Sequence, residues 1–116
     1  MKVAELLTEA KRALILSVMG RIVKELDGMA EEYRKGIAEL GGLTLDEVPV
    51  PFTSKMLLSY GTGVQLERND NITDTMWEEI FDEVNHMLKE EGYMDGVLPV
   101  SVQTVREPDH IWILVS

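Results

Sequence analysis

Apolar residues recur at alternating spacings of three and four between Leu16 and Leu40, and this repeat constrains the fold more than any other feature of the chain. The stretch from residue 3 to residue 40 contains no proline and is rich in strong helix formers. Such spacings place the apolar side chains along one side of a helix. The sequence therefore predicts one long helix with a heptad seam, formed by Leu16, Met19, Val23, Leu26, Ala30, Tyr33, Ile37 and Leu40.

The predicted helix is too long for a lone domain of 116 residues. It would measure about 57 Å, whereas such a domain has a radius of gyration of only about 13 Å. We therefore expect residues 1–41 to be an oligomerisation helix whose seam packs against the same helix of another subunit, giving a homodimer or a higher oligomer. The alternative is a helical hairpin that breaks at Gly28, with Asp27 capping the second helix.

Residues 42–116 are predicted to form an α+β body that belongs to the same structural domain. Gly41 and Gly42 end the long helix. Alternating patterns predict a hairpin of strands 55–60 and 64–68, an amphipathic helix that ends at Gly92, and a second hairpin of strands 97–105 and 111–115. The expected fold is α-β-β-α-β-β, with a four-stranded antiparallel sheet and both helices on one face.

The charge of the chain is strongly acidic and unevenly distributed. The net charge is −10, and residues 59–116 carry twelve of the 21 acidic residues but only three of the 11 basic ones. Such a surface repels phosphate backbones, so we expect no direct nucleic-acid binding.

The chain has no cysteine, which excludes disulfides and thiolate metal sites and fits a reducing compartment. We expect a cytoplasmic protein that has no signal peptide, does not bind a membrane and needs no cofactor.

The first functional hypothesis is a non-enzymatic, oligomeric binding protein. Its acidic surface would dock on a basic protein partner, as expected of an inhibitor or adaptor of the phage type or of a prokaryotic accessory protein. The docking residues would come from the exposed side of the second helix and are Glu78, Glu79, Asp82 and Glu83.

A second hypothesis comes from the segment SYGTGVQLERND at residues 59–70. Its glycines lead into a strand instead of a helix, so they indicate a hairpin turn and not a phosphate cradle. The turn could still border a pocket at a subunit interface that sequesters a small nucleotide-like signalling molecule. Arginine would hold phosphate, backbone N–H groups would assist, and aromatic rings would stack on a base. The predicted ligand residues are Tyr60, Gly61, Thr62, Gly63, Arg68, Arg106 and Trp112.

Catalytic and metal-binding patterns are weak in this sequence. Glu83 and His86 have the spacing by which helical bundles present metal ligands, but the chain contains no second such motif. Neither His86 nor His110 lies in a recognisable triad context. We therefore predict no catalytic residue and no metal ligand.

Overall fold

The computed structural model describes residues 3–58 and 62–116. It contains a helix α1 (Val3–Gly41), a short 3₁₀ turn (Leu45–Glu47), strands β1 (Phe52–Leu57) and β2 (Gly63–Arg68), a second helix α2 (Asp74–Glu90), and strands β3 (Val102–Arg106) and β4 (His110–Val115). All neighbouring strands are antiparallel, in the order β1-β2-β4-β3. The predicted α+β fold with two hairpins and a helix between them is confirmed.

Helix α1 is continuous over 39 residues, so the predicted long helix is confirmed and the hairpin alternative is wrong. It passes through Gly20 and Gly28 without a break, and both glycines face open space. The helix ends as predicted, because Gly42 adopts a φ of +65° and the N–H of Leu43 donates to the carbonyl oxygen of Ala38. The length of α1 explains the extended dimensions of the molecule, which are 60 × 25 × 22 Å.

Both helices pack on one face of the sheet. On the side of β1, the hydroxyl of Ser54 donates to the carboxylate of Asp27 in α1 at 3.0 Å. On the side of β3, the hydroxyl of Thr104 donates to the side-chain oxygen of Asn85 in α2. The largest fully buried side chains lie between these layers and include Met19, Ile22, Leu26, Val64, Leu66, Ile80, Val84, Leu88, Ile111 and Ile113.

The opposite face of the sheet is not covered by either helix. In β4, Ile111, Ile113 and Val115 are buried in the core, whereas Leu114 is exposed and Trp112 is half-buried. Successive side chains of a strand alternate between faces, so Trp112 and Leu114 lie on the uncovered face. Helices therefore cover β4 on one side only, although β4 is a central strand of the sheet.

Within the described parts of the chain, neither helix carries an apolar stretch long enough to cross a lipid bilayer.

Candidate protein-docking groove

A groove lies between the C-terminal part of α1 and the N-terminal half of α2. Its volume is about 530 Å³. Spacings of three, four and seven residues bring its side chains to one side of each helix. Helix α1 supplies most of the apolar floor, and α2 adds Met76 and two carboxylates. The lining residues are Met29, Glu32, Tyr33, Gly36, Ile37, Leu40, Met76, Glu79 and Glu83.

The rim of the groove is acidic. Glu79 and Glu83 are exposed, and with Tyr33 they also line a second hollow of about 510 Å³, to which Asp82 and His86 contribute. The carboxylate of Glu32 lies 3.9 Å from the Lys35 ammonium, which offsets part of its charge. The excess negative charge therefore comes from α2. None of the residues that line the groove in the described structure is basic.

Tyr33 reports the electrostatic environment of the groove. Partial burial raises the pKa of its phenol above the ordinary value, and the negative charges of Glu83 and Glu79 raise this pKa further. Both carboxylates thus act on the phenol, which lines the apolar groove and the acidic hollow alike. The same groove therefore combines an apolar surface with negative charge.

Three of the four predicted docking residues border these hollows. Glu79, Asp82 and Glu83 lie together along α2, as their spacing in the sequence indicated. Glu78 lies elsewhere, because its carboxylate is 3.1 Å from the guanidinium of Arg106 and lines a different cleft. Its charge is therefore partly neutralised within the chain.

The predicted oligomer seam is divided by the fold. Met19, Leu26 and Ala30 are buried in the core of the same chain, and Val23 and Tyr33 pack against that core. Met19, Leu26 and Ala30 are therefore not free to face another subunit as predicted, because α1 lies across its own sheet. A core-facing stripe and a coiled-coil seam have nearly the same period over three heptads. The accessible seam residues are Leu16, which is exposed, and Tyr33, Ile37 and Leu40, which line the groove.

The structure brings together two of the residues predicted to bind a small ligand. Arg68 and Arg106 line a cleft of about 320 Å³, together with Asp74, Trp77, Glu78, Glu107 and Pro108. Their guanidinium groups are already engaged by the chain itself. Arg68 donates to the carbonyl oxygens of Pro108 and Ile72 and to the carboxylate of Asp74, while Arg106 pairs with Glu78.

The other predicted ligand residues lie away from this cleft. Thr62 and Gly63 are at the opposite end of β2, where the Thr62 hydroxyl donates to the carbonyl oxygen of Val115 at 2.9 Å. A Cβ on Gly63 would lie 2.7 Å from the carbonyl oxygen of Ile113, so close strand packing accounts for this glycine. Trp112 is on the uncovered face of the sheet, and Tyr60 and Gly61 lie outside the described residues.

Sequence reasoning missed the groove residues Met29, Glu32, Gly36 and Met76, as well as Trp77 in the arginine cleft. Met76 precedes Glu79 and Glu83 by three and seven residues, which marks one face of α2. This spacing could have indicated from the sequence that Met76 lies beside the two glutamates. The sequence contains no local pattern that places α1 next to this face, because that arrangement depends on how both helices pack on the sheet.

Among the residues described, no group of three or more histidine, aspartate and glutamate side chains is arranged to hold a metal ion. Comparison of the chain with protein-family models, with curated proteins and with solved structures gave no match.

Proposed function

We propose that this chain is a non-enzymatic binding protein that captures a basic, amphipathic helical segment of another protein. The observation that carries the proposal is the groove between α1 and α2, in which an apolar floor adjoins the carboxylates of Glu79 and Glu83, with Asp82 in the neighbouring hollow. A helix with leucines on one side and lysines or arginines beside them would match both features.

The dimensions of the groove favour a short helix as its occupant. The part of α1 that lines it runs from residue 29 to residue 40, a length of about 17 Å. This corresponds to about three turns of a bound helix. Met29 and Met76 are flexible side chains that adapt to the shape of an incoming apolar residue. The groove would therefore accept related basic helices without requiring one sequence, as suits an inhibitor or adaptor.

The small-ligand hypothesis has less support. Arg68 and Arg106 meet at one cleft, but their donors already engage Ile72, Pro108 and carboxylates of the same chain. A phosphate group would have to displace those partners. The basic-helix proposal needs no such rearrangement, because the groove carboxylates Glu79 and Glu83 are exposed.

The test uses a fluorescent synthetic peptide in which leucines recur every three or four residues and lysines fill the other positions, titrated with the full-length protein and followed by anisotropy. We expect saturable binding that weakens as salt is added, because exposed charges are screened. Neutralising the rim with Glu79→Gln and Glu83→Gln should weaken binding by about tenfold, or 1.4 kcal/mol.

The matched control is the double variant Asp70→Asn and Asp109→Asn, which removes the same charge from exposed positions outside the groove. It should change the dissociation constant by less than about twofold. An equal loss in both double variants would mean that net charge alone attracts the peptide, and the groove proposal would be wrong. Absence of binding at about 1 mM peptide, the weak limit of a specific contact, would also contradict it.

A further inference from the structure

The C-terminal end of α2 meets α1 at a pair of carboxyl groups. Glu91 is the C-terminal cap of α2, and its side chain hydrogen-bonds to the side chain of Glu25 in α1. Oε2 of each group is shielded from water, and no N–H or hydroxyl of the described residues donates to either oxygen. Two ionised carboxylates only accept hydrogen bonds, and they repel each other. The contact between Glu25 and Glu91 therefore holds only while the pair keeps one proton.

The surroundings of this pair favour retention of the proton up to neutral pH. Burial, followed by the hydrogen bond to Glu25 and the charge of Glu25, raises the pKa of Glu91 to about 7, although Arg21 of α1 lowers it. The other charged residues near Glu91 in the sequence are exposed, namely Lys89, Glu90 and Asp95. The single guanidinium of Arg21 does not balance two carboxylates. Loss of the proton therefore leaves net negative charge at a shielded contact.

Glu91 is followed directly by a segment without helix or strand, residues 92–101, which we call the strap. Tyr93 and Val100 are buried and fix the two ends of the strap, whereas Val97 in its middle is 80% exposed. Between these ends, the one hydrogen bond of the strap in the described structure joins the N–H of Val97 to the carboxylate of Asp95. A segment with so few hydrogen bonds opens locally at a low cost in free energy.

The strap closes a hollow of about 170 Å³ against α1. Arg21 lines this hollow and also acts on Glu91, so the carboxyl pair lies at the base of the same contact. Release of the strap would uncover apolar side chains on both sides of the hollow. The α1 side is formed by Leu14, Ser17, Val18 and Arg21, and the strap side by Tyr93, Leu98, Pro99 and Val100.

We propose that Glu25 and Glu91 form a proton-operated latch, which holds the strap on α1 while the pair is protonated and releases it when the proton is lost. Ionisation makes the two carboxylates repel, and the side chain of Glu91 then turns towards water. The strap moves with it, because Gly92 and Tyr93 follow Glu91 directly. The latch is at the opposite end of α2 from the groove, so this inference does not depend on the proposed function.

The direction of the pH effect follows from proton binding. In the closed form Glu91 keeps its proton up to about pH 7, whereas a Glu91 released into water ionises at its ordinary pKa of 4.5. Raising the pH between these two values therefore favours the open strap, and above the higher value the effect levels off. Because solvent screens the pair, we expect the open fraction to rise by about tenfold between about pH 5.5 and pH 8.

The test places a cysteine under the strap and measures how fast iodoacetamide alkylates it. The chain has no cysteine, so a single introduced one gives an unambiguous signal. The position of Val100→Cys is buried while the strap is closed, and Val97→Cys, at an exposed position, is the reference. The ratio of the two rates removes most of the pH dependence of the thiol itself. This ratio should rise by about tenfold from about pH 5.5 to pH 8.

Removing either carboxylate tests the pair. In Glu91→Gln the ratio should change by less than about twofold over the same pH range, because an amide does not ionise. Glu25→Gln offers Glu91 an amide donor and removes the like charge, so the rise should fall to about threefold or less. The matched control Glu39→Gln removes an exposed acid of α1 and should retain the full rise. A ratio that does not depend on pH in the parent chain, or an undiminished rise in Glu91→Gln or Glu25→Gln, would overturn the latch.

Urea distinguishes opening of the strap from unfolding of the whole chain. At about 1 M urea and pH 8, the rate ratio should change by less than about twofold, because opening the strap exposes little surface. Unfolding of the whole chain exposes the entire core and would raise the ratio by at least about fivefold. A rise of that size would mean that Val100→Cys reacts through global unfolding, and the latch would be wrong.

Discussion

The guanidinium of Arg68 lies 5.8 Å from the centroid of the Trp77 ring, at the junction of three elements of the fold. It donates to the carbonyl oxygen of Pro108 and to the carboxylate of Asp74, each at 2.9 Å. The indole N–H of Trp77 donates to the carbonyl oxygen of Glu107 at 2.9 Å. These contacts connect the end of β2, the start of α2 and the turn between β3 and β4. We therefore infer that Arg68 and Trp77, in the arginine cleft, stabilise the packing of these three elements and that the cleft acts as a structural clamp.

Replacement of Arg68 should test this structural role. Arg68→Met leaves the carbonyl oxygens of Pro108 and Ile72 without their donor, so we expect the free energy of unfolding to fall by about 2–3 kcal/mol. Urea denaturation measures this change. The control Lys35→Met removes a positive charge from an exposed intrahelical pair and should cost at most about 0.5 kcal/mol. Equal effects of the two variants would contradict the clamp.

Substitution of Leu26 tests whether this residue belongs to the core of one chain or to an interface between chains. Its side chain is fully buried in a single copy, so Leu26→Ala should lower the free energy of unfolding by about 2–5 kcal/mol. Leu40→Ala, at the exposed end of the same seam, should change the stability of one copy by about 0.5 kcal/mol or less. The check is thermal unfolding of both variants over a range of protein concentrations. A loss in Leu26→Ala that shrinks strongly as the protein is concentrated would indicate an interface residue instead.

We expect the carboxyl group of Glu91, at the end of α2, to make stability depend on pH. One of its oxygens, Oε2, is shielded from water, as is Oε2 of Glu25 in α1. Burial raises the pKa of Glu91 to about 7, with further increases from hydrogen bonding to Glu25 and from its charge, while Arg21 lowers it. Between about pH 4.5 and pH 7 the folded chain retains a proton that the unfolded chain has lost, so stability falls as the pH rises through this window.

Glu91→Gln should remove this dependence. The amide carries no charge at any pH, so the variant should lose less stability than the wild type between pH 5 and pH 8. We expect the difference in Tm change to be about 3–6 °C, equivalent to roughly 1 kcal/mol after solvent screening. Differential scanning fluorimetry at both pH values measures it. Parallel Tm–pH curves for the two proteins would show that Glu91 does not titrate as described.

The fold class could be predicted from the sequence because its determinants are local. Helix propensity and the absence of proline specify α1, and Gly42 and Gly92, both with positive φ, end the two helices as predicted. Local patterns were less accurate at some boundaries. Strand β3 begins at Val102 instead of residue 97, and strand β1 spans Phe52–Leu57 instead of residues 55–60.

The candidate site could be predicted only in part, because it depends on packing between distant segments. The acidic face of α2 was evident from the spacing of Glu79, Asp82 and Glu83. The apolar floor was not, because the heptad pattern of α1 does not state which residues meet the chain's own sheet. Leu26 and Leu40 are equivalent in the repeat, yet one is fully buried and the other is 93% exposed. Only the position of the sheet along α1 distinguishes them.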